Sequence, residues 1–388
     1  MENVVPVVYA LMGITVSLFL VQAVYWLLLY ACPLRKIYQA PPAKKKISSF
    51  PSVSIVLYVE CDVETLQEQL LSLLSQDYPF YEVIVVIDNT SDQTEMVLKK
   101  LEKEYTNLYY TYIPEGAKYI SRKKLALTIG IKAARHDILL FTEAHCHPIS
   151  NKWITSLSQA YTPETEIVQG LCGYRYTDGF MHHFIAYDNL MEGMQYLSAT
   201  LARHPFTGNG RNLSYRKSLF FNKKGYCQSL ALRDGDDDLF VNESATPKNT
   251  CIVYSQDSLT EMAPVSEFRQ WMVTKFARVV TSSRYKGVMP MLFRMETLSY
   301  FLFIGAGIAV VLTGGVSGMW RMSIVAGGLV LIRYVIKAVI LHKASALFRQ
   351  KPVTVWLFAL EFIHPLLGVY IHIRRIFHRK RKYAFRMN

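Results

Sequence analysis

From Val4 to Cys32 the chain carries no charged side chain. A helix needs about 20 apolar residues to cross a hydrocarbon core of ~30 Å, so a run of this length predicts a membrane helix. A cleaved leader would have a basic start and a small-residue cleavage pattern. Here Glu2 precedes the run and no such pattern closes it. A retained helix is therefore expected over residues 1–34, followed by a basic linker over 35–49. Arg35, Lys36 and the run Lys44–Lys46 place the end of that helix on the cytoplasmic side.

Two further apolar stretches, Leu298–Met319 and Met322–Leu341, have too short a loop between them for a domain. They predict a transmembrane hairpin over 298–341. Arg333 and Lys337 fall inside its second helix, where snorkelling or contact with a lipid phosphate would accommodate them. A third stretch, Val353–Ile373, is interrupted by Glu361 and His364-Pro365. Spanning would carry the basic tail outside, so a re-entrant or interfacial course is expected within 342–388.

Composition narrows the class. Hydrophobic residues make up 51% and charged residues 19%, which excludes a disordered or collagen-like chain. The six cysteines form no C-x-x-C pair, so neither a zinc ribbon nor a disulfide framework is implied. The net charge of +13 lies mainly at the flanks of the apolar segments and in the tail. Membrane lipids account for that distribution better than nucleic acid does. The sequons at Asn89, Asn212 and Asn242 lie in the segment expected in the cytoplasm and are read as chance.

Between residues 50 and 266 the pattern changes. Strands are expected at Val53–Val59, Glu82–Asp88, Leu108–Pro114 and Asp137–Ala144, with helices at Thr65–Gln76, Thr94–Glu104 and Arg122–Ala134 between them. This alternation predicts a mainly parallel sheet flanked by helices, an α/β domain. Ligands in such sheets bind beyond the C-terminal strand ends. There the chain places Glu60, Asp62, Asp88, Asn89, Glu143 and His145. No G-x-G-x-x-G follows the first strand and no Walker-type loop occurs, so the strongest signs of dinucleotide and P-loop sites are missing. Strand-end acids suit a sugar nucleotide held by its ribose hydroxyls and by a divalent cation on its diphosphate.

Several motifs together resemble the family 2 glycosyltransferases, whose nucleotide-sugar domain has the GT-A fold. "SIVLYVECDVETLQEQLLSLLSQDYP" is similar to the family's opening segment, and "VIDNTSDQT" to its second-strand motif, which assigns Asp88 to the nucleoside. "RKKLALTIGIKAA" resembles the Lys-x-x-Ala-Leu-Asn-x-Gly helix, with Lys123 and Gly130 on its fixed positions. "LLFTEAHCHP" stands where the family has Asp-x-Asp, so Glu143 takes the place of the first acid and His145 that of the metal ligand. Mg²⁺ or Mn²⁺ suits a site of this kind.

"TGNGRNLSYRKSLFF" resembles the family's glycine loop and assigns Gly208, Gly210 and Asn212 to the donor. "RDGDDDLF" resembles its acidic general-base motif, with Asp237 as base and Asp236 as neighbour. Crowded carboxylates should raise one pKa toward a value useful for accepting a proton. The amphipathic segment 267–297 loosely matches the family's diphosphate cap through Trp271, Lys275 and Arg278.

The resemblance implies an inverting transfer of sugar from a nucleoside diphosphate sugar to a lipid-linked or glycan acceptor at the cytoplasmic membrane face. The alternatives are a catalytically silent nucleotide-sugar-binding module and a processive polysaccharide synthase. The oligomeric state is left open.

Overall fold

The β-branched run Val53–Val59 determines the centre of the fold. A strand alternates its side chains between two faces, and this one is apolar on both, so it must lie between two helical layers. In the computed structural model, which describes residues 4–39, 50–60, 63–88, 92–114, 121–265 and 267–377, it does. The strands are β1 (Val53–Val59), β2 (Tyr81–Ile87), β3 (Leu108–Tyr112), β4 (Ile138–Glu143), β5 (Cys146–Pro148), β6 (Ile167–Gln169), β7 (Cys172–Tyr174), β8 (Leu213–Arg216), β9 (Thr250–Ile252) and β10 (Thr260–Met262).

Seven of them form one sheet in the order β3-β2-β1-β4-β8-β6-β9, and β5-β10-β7 form a second. β1 pairs in parallel with β2 and with β4, Val56 lying beside Ile84 and Phe141. β8 runs antiparallel to β4 and β6. On one face Ile55, Leu57, Val83 and Val85 pack with Leu66, Leu70 and Trp153. On the other, Val56, Ile84 and Val86 pack with Ala126, Leu127 and Ile131 of the helix Arg122–Ala133. The strands expected from the sequence therefore form, within a residue or two at their ends.

Four helices, Val5–Tyr38, Val288–Val316, Trp320–Leu347 and Leu357–Phe377, are long and apolar enough to cross a membrane. The segment 267–297 is not one helix. Phe268–Ser282 is separate from Val288–Val316, and Gly287 between them has φ +107°. The last apolar segment is helical from Leu357 onward and packs on Phe268–Ser282 and on Phe180–Leu201. That latter helix, of 22 residues, has no counterpart in the sequence reading. Its Tyr187, Leu190, Met194 and Leu197 share one core with Trp26, Tyr30, Leu341 and Phe348, which joins the sheet domain to the apolar helices.

Arg333 and Lys337 are turned into the protein and do not snorkel. They are 3% and 6% exposed. The Arg333 guanidinium pairs with the Glu361 carboxylate and donates to Gln22 Oε1 at 2.9 Å, and it lies 4.5 Å from the Tyr300 ring centre. Lys337 Nζ is 3.3 Å from Glu361 Oε1. Burying charge is tolerated when it is paired, so Glu361, which reads as an interruption of an apolar segment, is the carboxylate these two cations require. Gln22 also donates to the Glu296 carbonyl at 3.0 Å and to Ser299 Oγ at 2.7 Å. One polar cluster thereby connects all four apolar helices. Glu361→Gln leaves two buried cations without this carboxylate and is expected to cost about 3–5 kcal/mol, seen as a large fall in melting temperature of the detergent-solubilised protein.

Candidate active site

The helix Arg122–Ala133 starts at the C-terminal edge of the parallel strands, where its first amide groups favour anions. Arg122 pairs with Asp88, just past β2, and Asp88 also accepts from the Tyr58 hydroxyl at 2.8 Å. Burial raises the Asp88 pKa, and the Arg122 and Tyr58 hydrogen bonds more than reverse this, leaving it lowered. Tyr58 donates to Glu60 Oε2 as well, at 3.0 Å. Asp62 and Asn89 lie outside the described residues.

Lys123 bridges two acids. Its Nζ is 3.3 Å from Glu143 Oε1 and 3.0 Å from Asp236 Oδ2. Arg211 Nε reaches the other oxygen of Glu143 at 3.2 Å. Burial pushes the Glu143 carboxyl up, but the Lys123 and Arg211 charges overcome it and hold the pKa down at about 2. His145, two residues on, is exposed and lines the same space.

The acidic loop is shaped by Gly235, whose φ of +104° suits glycine. A Cβ there would also meet Leu239 Cδ1 at 2.8 Å. Lys124, from the same helix as Lys123, draws the loop inward by donating to the Leu232 and Asp234 carbonyls at 3.1 and 2.9 Å. Asp237 caps the helix Asp238–Ser244 through the amide of Asp238 at 2.6 Å and accepts from the Gly210 amide at 2.8 Å. Asp236 is 5% exposed, and its Oδ1 has no partner among the described residues. Burial raises its pKa to about 6; Lys123 opposes this, and Asp237 and Asp234 add to it. The carboxylate crowding expected from the sequence thus acts on Asp236.

Two cavities meet at this point. One, of about 220 Å³, is lined by Tyr58, Glu60, Lys123, Glu143, His145, Gly210, Asp236 and Asp237. The other, of about 380 Å³, shares Lys123, Glu143, His145, Asp236 and Asp237 and extends to Trp271, Lys275 and Arg278. The two acids of the loop stand on the wall common to both.

Three expectations need correction. Asn212 lines neither cavity: it is 1% exposed, accepts from Trp153 Nε1 at 3.1 Å, and donates to the Leu171 and Ser258 carbonyls, each at 2.8 Å. It ties β8 to its surroundings. Gly208 gives close approach to the neighbouring helix, where a Cβ would stand 2.6 Å from Val241 Cγ2. Lys275 and Arg278 reach the cavity already paired. Lys275 Nζ lies 2.7 Å from Asp188 and 2.8 Å from Glu192. Arg278 lies 2.9 Å from Glu192, 3.4 Å from Asp237 and 3.1 Å from Asp238.

Asp188, Glu192 and Arg211 were missed. The first two stand four residues apart on Phe180–Leu201, hence on one face. Two acids at that spacing, with no Lys or Arg on the same helix, were the available signal. Arg211 sits inside the glycine motif itself.

Residues 52–222 match the Glycosyl transferase family 2 model. Over that stretch the chain is similar to glycosyltransferase family 2. Glycosyltransferase AglE of Haloferax volcanii is 28% identical over 136 residues, which is 34% of this chain and 43% of that relative's length. Mannosyltransferase PcManGT from Pyrobaculum calidifontis, solved with GDP-Man and Mn²⁺, aligns with a TM-score of 0.60 over 95% of this chain and 100% of its own. At 16% identity that likeness is one of fold: the mixed, mainly parallel sheet with flanking helices is GT-A.

A divalent cation in this domain would have Glu143 and His145 to hold it. Among the described residues no group of three His, Cys, Asp or Glu side chains could hold a metal ion. A set of two fits a cation whose other positions are filled by substrate phosphates and water. An ionised Glu143 keeps lone pairs beyond those used by Lys123 and Arg211.

Two stability effects follow. The folded-state pKa of Asp236 lies above its ordinary 3.8, so its ionisation subtracts from stability as pH rises from about 4 to about 6 and the deficit persists above. Asp236→Asn is expected to melt several degrees above the parent at neutral pH, with the gap closing near pH 4. Asn212→Ala takes this partner from the Trp153 indole and the Ser258 carbonyl, while the Leu171 carbonyl keeps the Thr260 amide, and is expected to cost roughly 2–4 kcal/mol, measured by thermal melting at one pH.

Proposed function

We propose that the chain is a membrane-anchored, inverting glycosyltransferase. It would move a sugar from a nucleoside diphosphate sugar to a hydroxyl of a lipid-linked or glycan acceptor. The observation that carries this reading is the position of Asp236 and Asp237 on the wall between two cavities. One cavity is lined by Tyr58 and Glu60, the other by Trp271 and Lys275. The donor takes the first cavity, with Asp88 and Glu60 toward the nucleoside and Lys123 toward the diphosphate. The acceptor takes the second. PcManGT, bound to GDP-Man and Mn²⁺ in its own structure, supports a sugar nucleotide with a divalent cation.

Asp237 accepts the proton of the acceptor hydroxyl, which attacks the anomeric carbon opposite the departing diphosphate. Gly210 and Arg278 hold the Asp237 carboxylate in place as it does so. When bound at Glu143 and His145, a divalent cation supplies Lewis-acid stabilisation of the leaving diphosphate. Lys123 keeps Glu143 and Asp236 at a fixed separation. Carboxylates outnumber cations around the second cavity, which favours a neutral hydroxyl as nucleophile.

The basic flank after the first apolar helix supports a cytoplasmic site. Leu357–Phe377, packed on Phe180–Leu201 and Phe268–Ser282, lies along the membrane interface in this reading.

A panel of nucleotide sugars with Mn²⁺ or Mg²⁺ should contain one that raises the melting temperature, since a ligand of the native state stabilises by mass action. With that donor, Asp237→Asn is expected to lower kcat about 10²- to 10⁴-fold and leave donor stabilisation in place. Unchanged turnover in that variant would remove Asp237 as the base. Stabilisation by a donor with no turnover on any acceptor would favour the silent nucleotide-sugar-binding module, and absence of stabilisation by every donor would count against both.

A further inference from the structure

The outer surface of the apolar helices is not uniformly convex. Where the C-terminal part of Val5–Tyr38 runs beside that of Trp320–Leu347, the two leave a groove of about 630 Å³, within the ~300–1,000 Å³ typical of small-ligand sites. Its walls follow helical spacing: Leu27, Leu34 and Tyr38 on one side, Val335 and Val339 on the other. Leu27, Val335 and Val339 are 38%, 50% and 52% exposed, so the described residues leave them partly uncovered.

The two ends of the groove differ. Toward the helix C-termini it is bordered by Arg35, His342 and Lys343. The Tyr38 hydroxyl donates to the Lys343 carbonyl at 3.0 Å, joining the two helices at that end. No carboxylate is among the groove's described lining residues. This contrasts with Arg333 and Lys337, which have Glu361. An apolar trough ending in two cations with no carboxylate partner among the described residues matches an amphiphile with an acyl chain and an anionic phosphate. A zwitterionic headgroup fits worse, since its ammonium would lie beside Arg35 and Lys343 with no carboxylate to receive it.

We propose that this groove is a binding site for an anionic phospholipid of the bilayer. One acyl chain lies between Leu27 and Val339, and the phosphate sits on Arg35 and Lys343. Separate from both cavities of the active site, it would bind lipid whether or not the chain transfers sugar.

The test is native mass spectrometry of the full chain in detergent, with phosphatidylglycerol, phosphatidylcholine, a polyprenyl phosphate or inorganic phosphate added. Phosphatidylglycerol should be retained with roughly 10-fold preference over phosphatidylcholine, the order expected of two cations at a membrane surface. Arg35→Gln with Lys343→Gln should abolish the preference while leaving the melting temperature in phosphatidylcholine unchanged. Val339→Trp, which fills the trough and keeps the cations, should reduce retention of both phospholipids. Equal retention of the two lipids by the parent overturns the proposal, and so does an undiminished preference in the Arg35→Gln, Lys343→Gln variant or undiminished retention in Val339→Trp. Displacement of phosphatidylglycerol by inorganic phosphate would reduce the site to a surface charge effect. Displacement by polyprenyl phosphate at equal concentration would reassign it to a lipid-linked substrate.

Discussion

The active site depends on a line of alternating charges that begins near the apolar helices. Asp188 accepts from Trp271 Nε1 at 3.1 Å and meets Lys275 at 2.7 Å and His364 at 3.0 Å. Lys275 continues to Glu192, Glu192 to Arg278, and Arg278 to Asp237 and Asp238. Each of these groups is mostly buried, and a buried charge is costly unless an opposite one is adjacent. Neither partner of any pair can leave alone. The helices Phe180–Leu201, Phe268–Ser282 and Leu357–Phe377 are therefore held in one arrangement, and the acidic loop is held with them.

The pKa shifts along this line have one physical pattern. Burial opposes ionisation of Asp188 and Glu192, yet Lys275 carries both carboxyls below their ordinary values, helped by His364 at the first and Arg278 at the second. Glu143 behaves the same way between Lys123 and Arg211. Asp236 and Asp238 differ: burial raises both, and it outweighs Lys123 at the first and Arg278 at the second, with Asp237 adding to each shift. Carboxylates held below their ordinary values by cations thus share the site with two that burial raises. A set of acids whose environments drive their pKa values apart is what acid–base chemistry at neutral pH requires.

The parallel core was legible because β1, β2 and β4 are continuous apolar runs, and such runs need helices on both faces. Lys123, Glu143, Asp236 and Asp237 were legible as charged residues placed at strand ends or in a short polar motif. β8, β6 and β9 were not, since three- and four-residue strands carry almost no periodic signal. Asn212 was assigned to a ligand because its motif neighbours are, and a buried asparagine binding carbonyls looks the same in sequence as one binding a sugar. Glu361 and His364 read as breaks in an apolar segment until their partners Arg333, Lys337 and Asp188 were in view.

By itself the sequence determined the strand–helix order, the four apolar segments and the chemical types gathered at the strand ends. These are local properties, set by periodicity, segment length and side-chain charge. The tertiary structure alone decided which acid faces which cation. It showed that Lys275 and Arg278 are already paired with carboxylates, and that burial raises the pKa of Asp236 and Asp238. Electrostatic energies inside a protein depend on distance and on exclusion of water. Asp188 and Lys275 lie far apart in the chain, and folding alone brings them within reach.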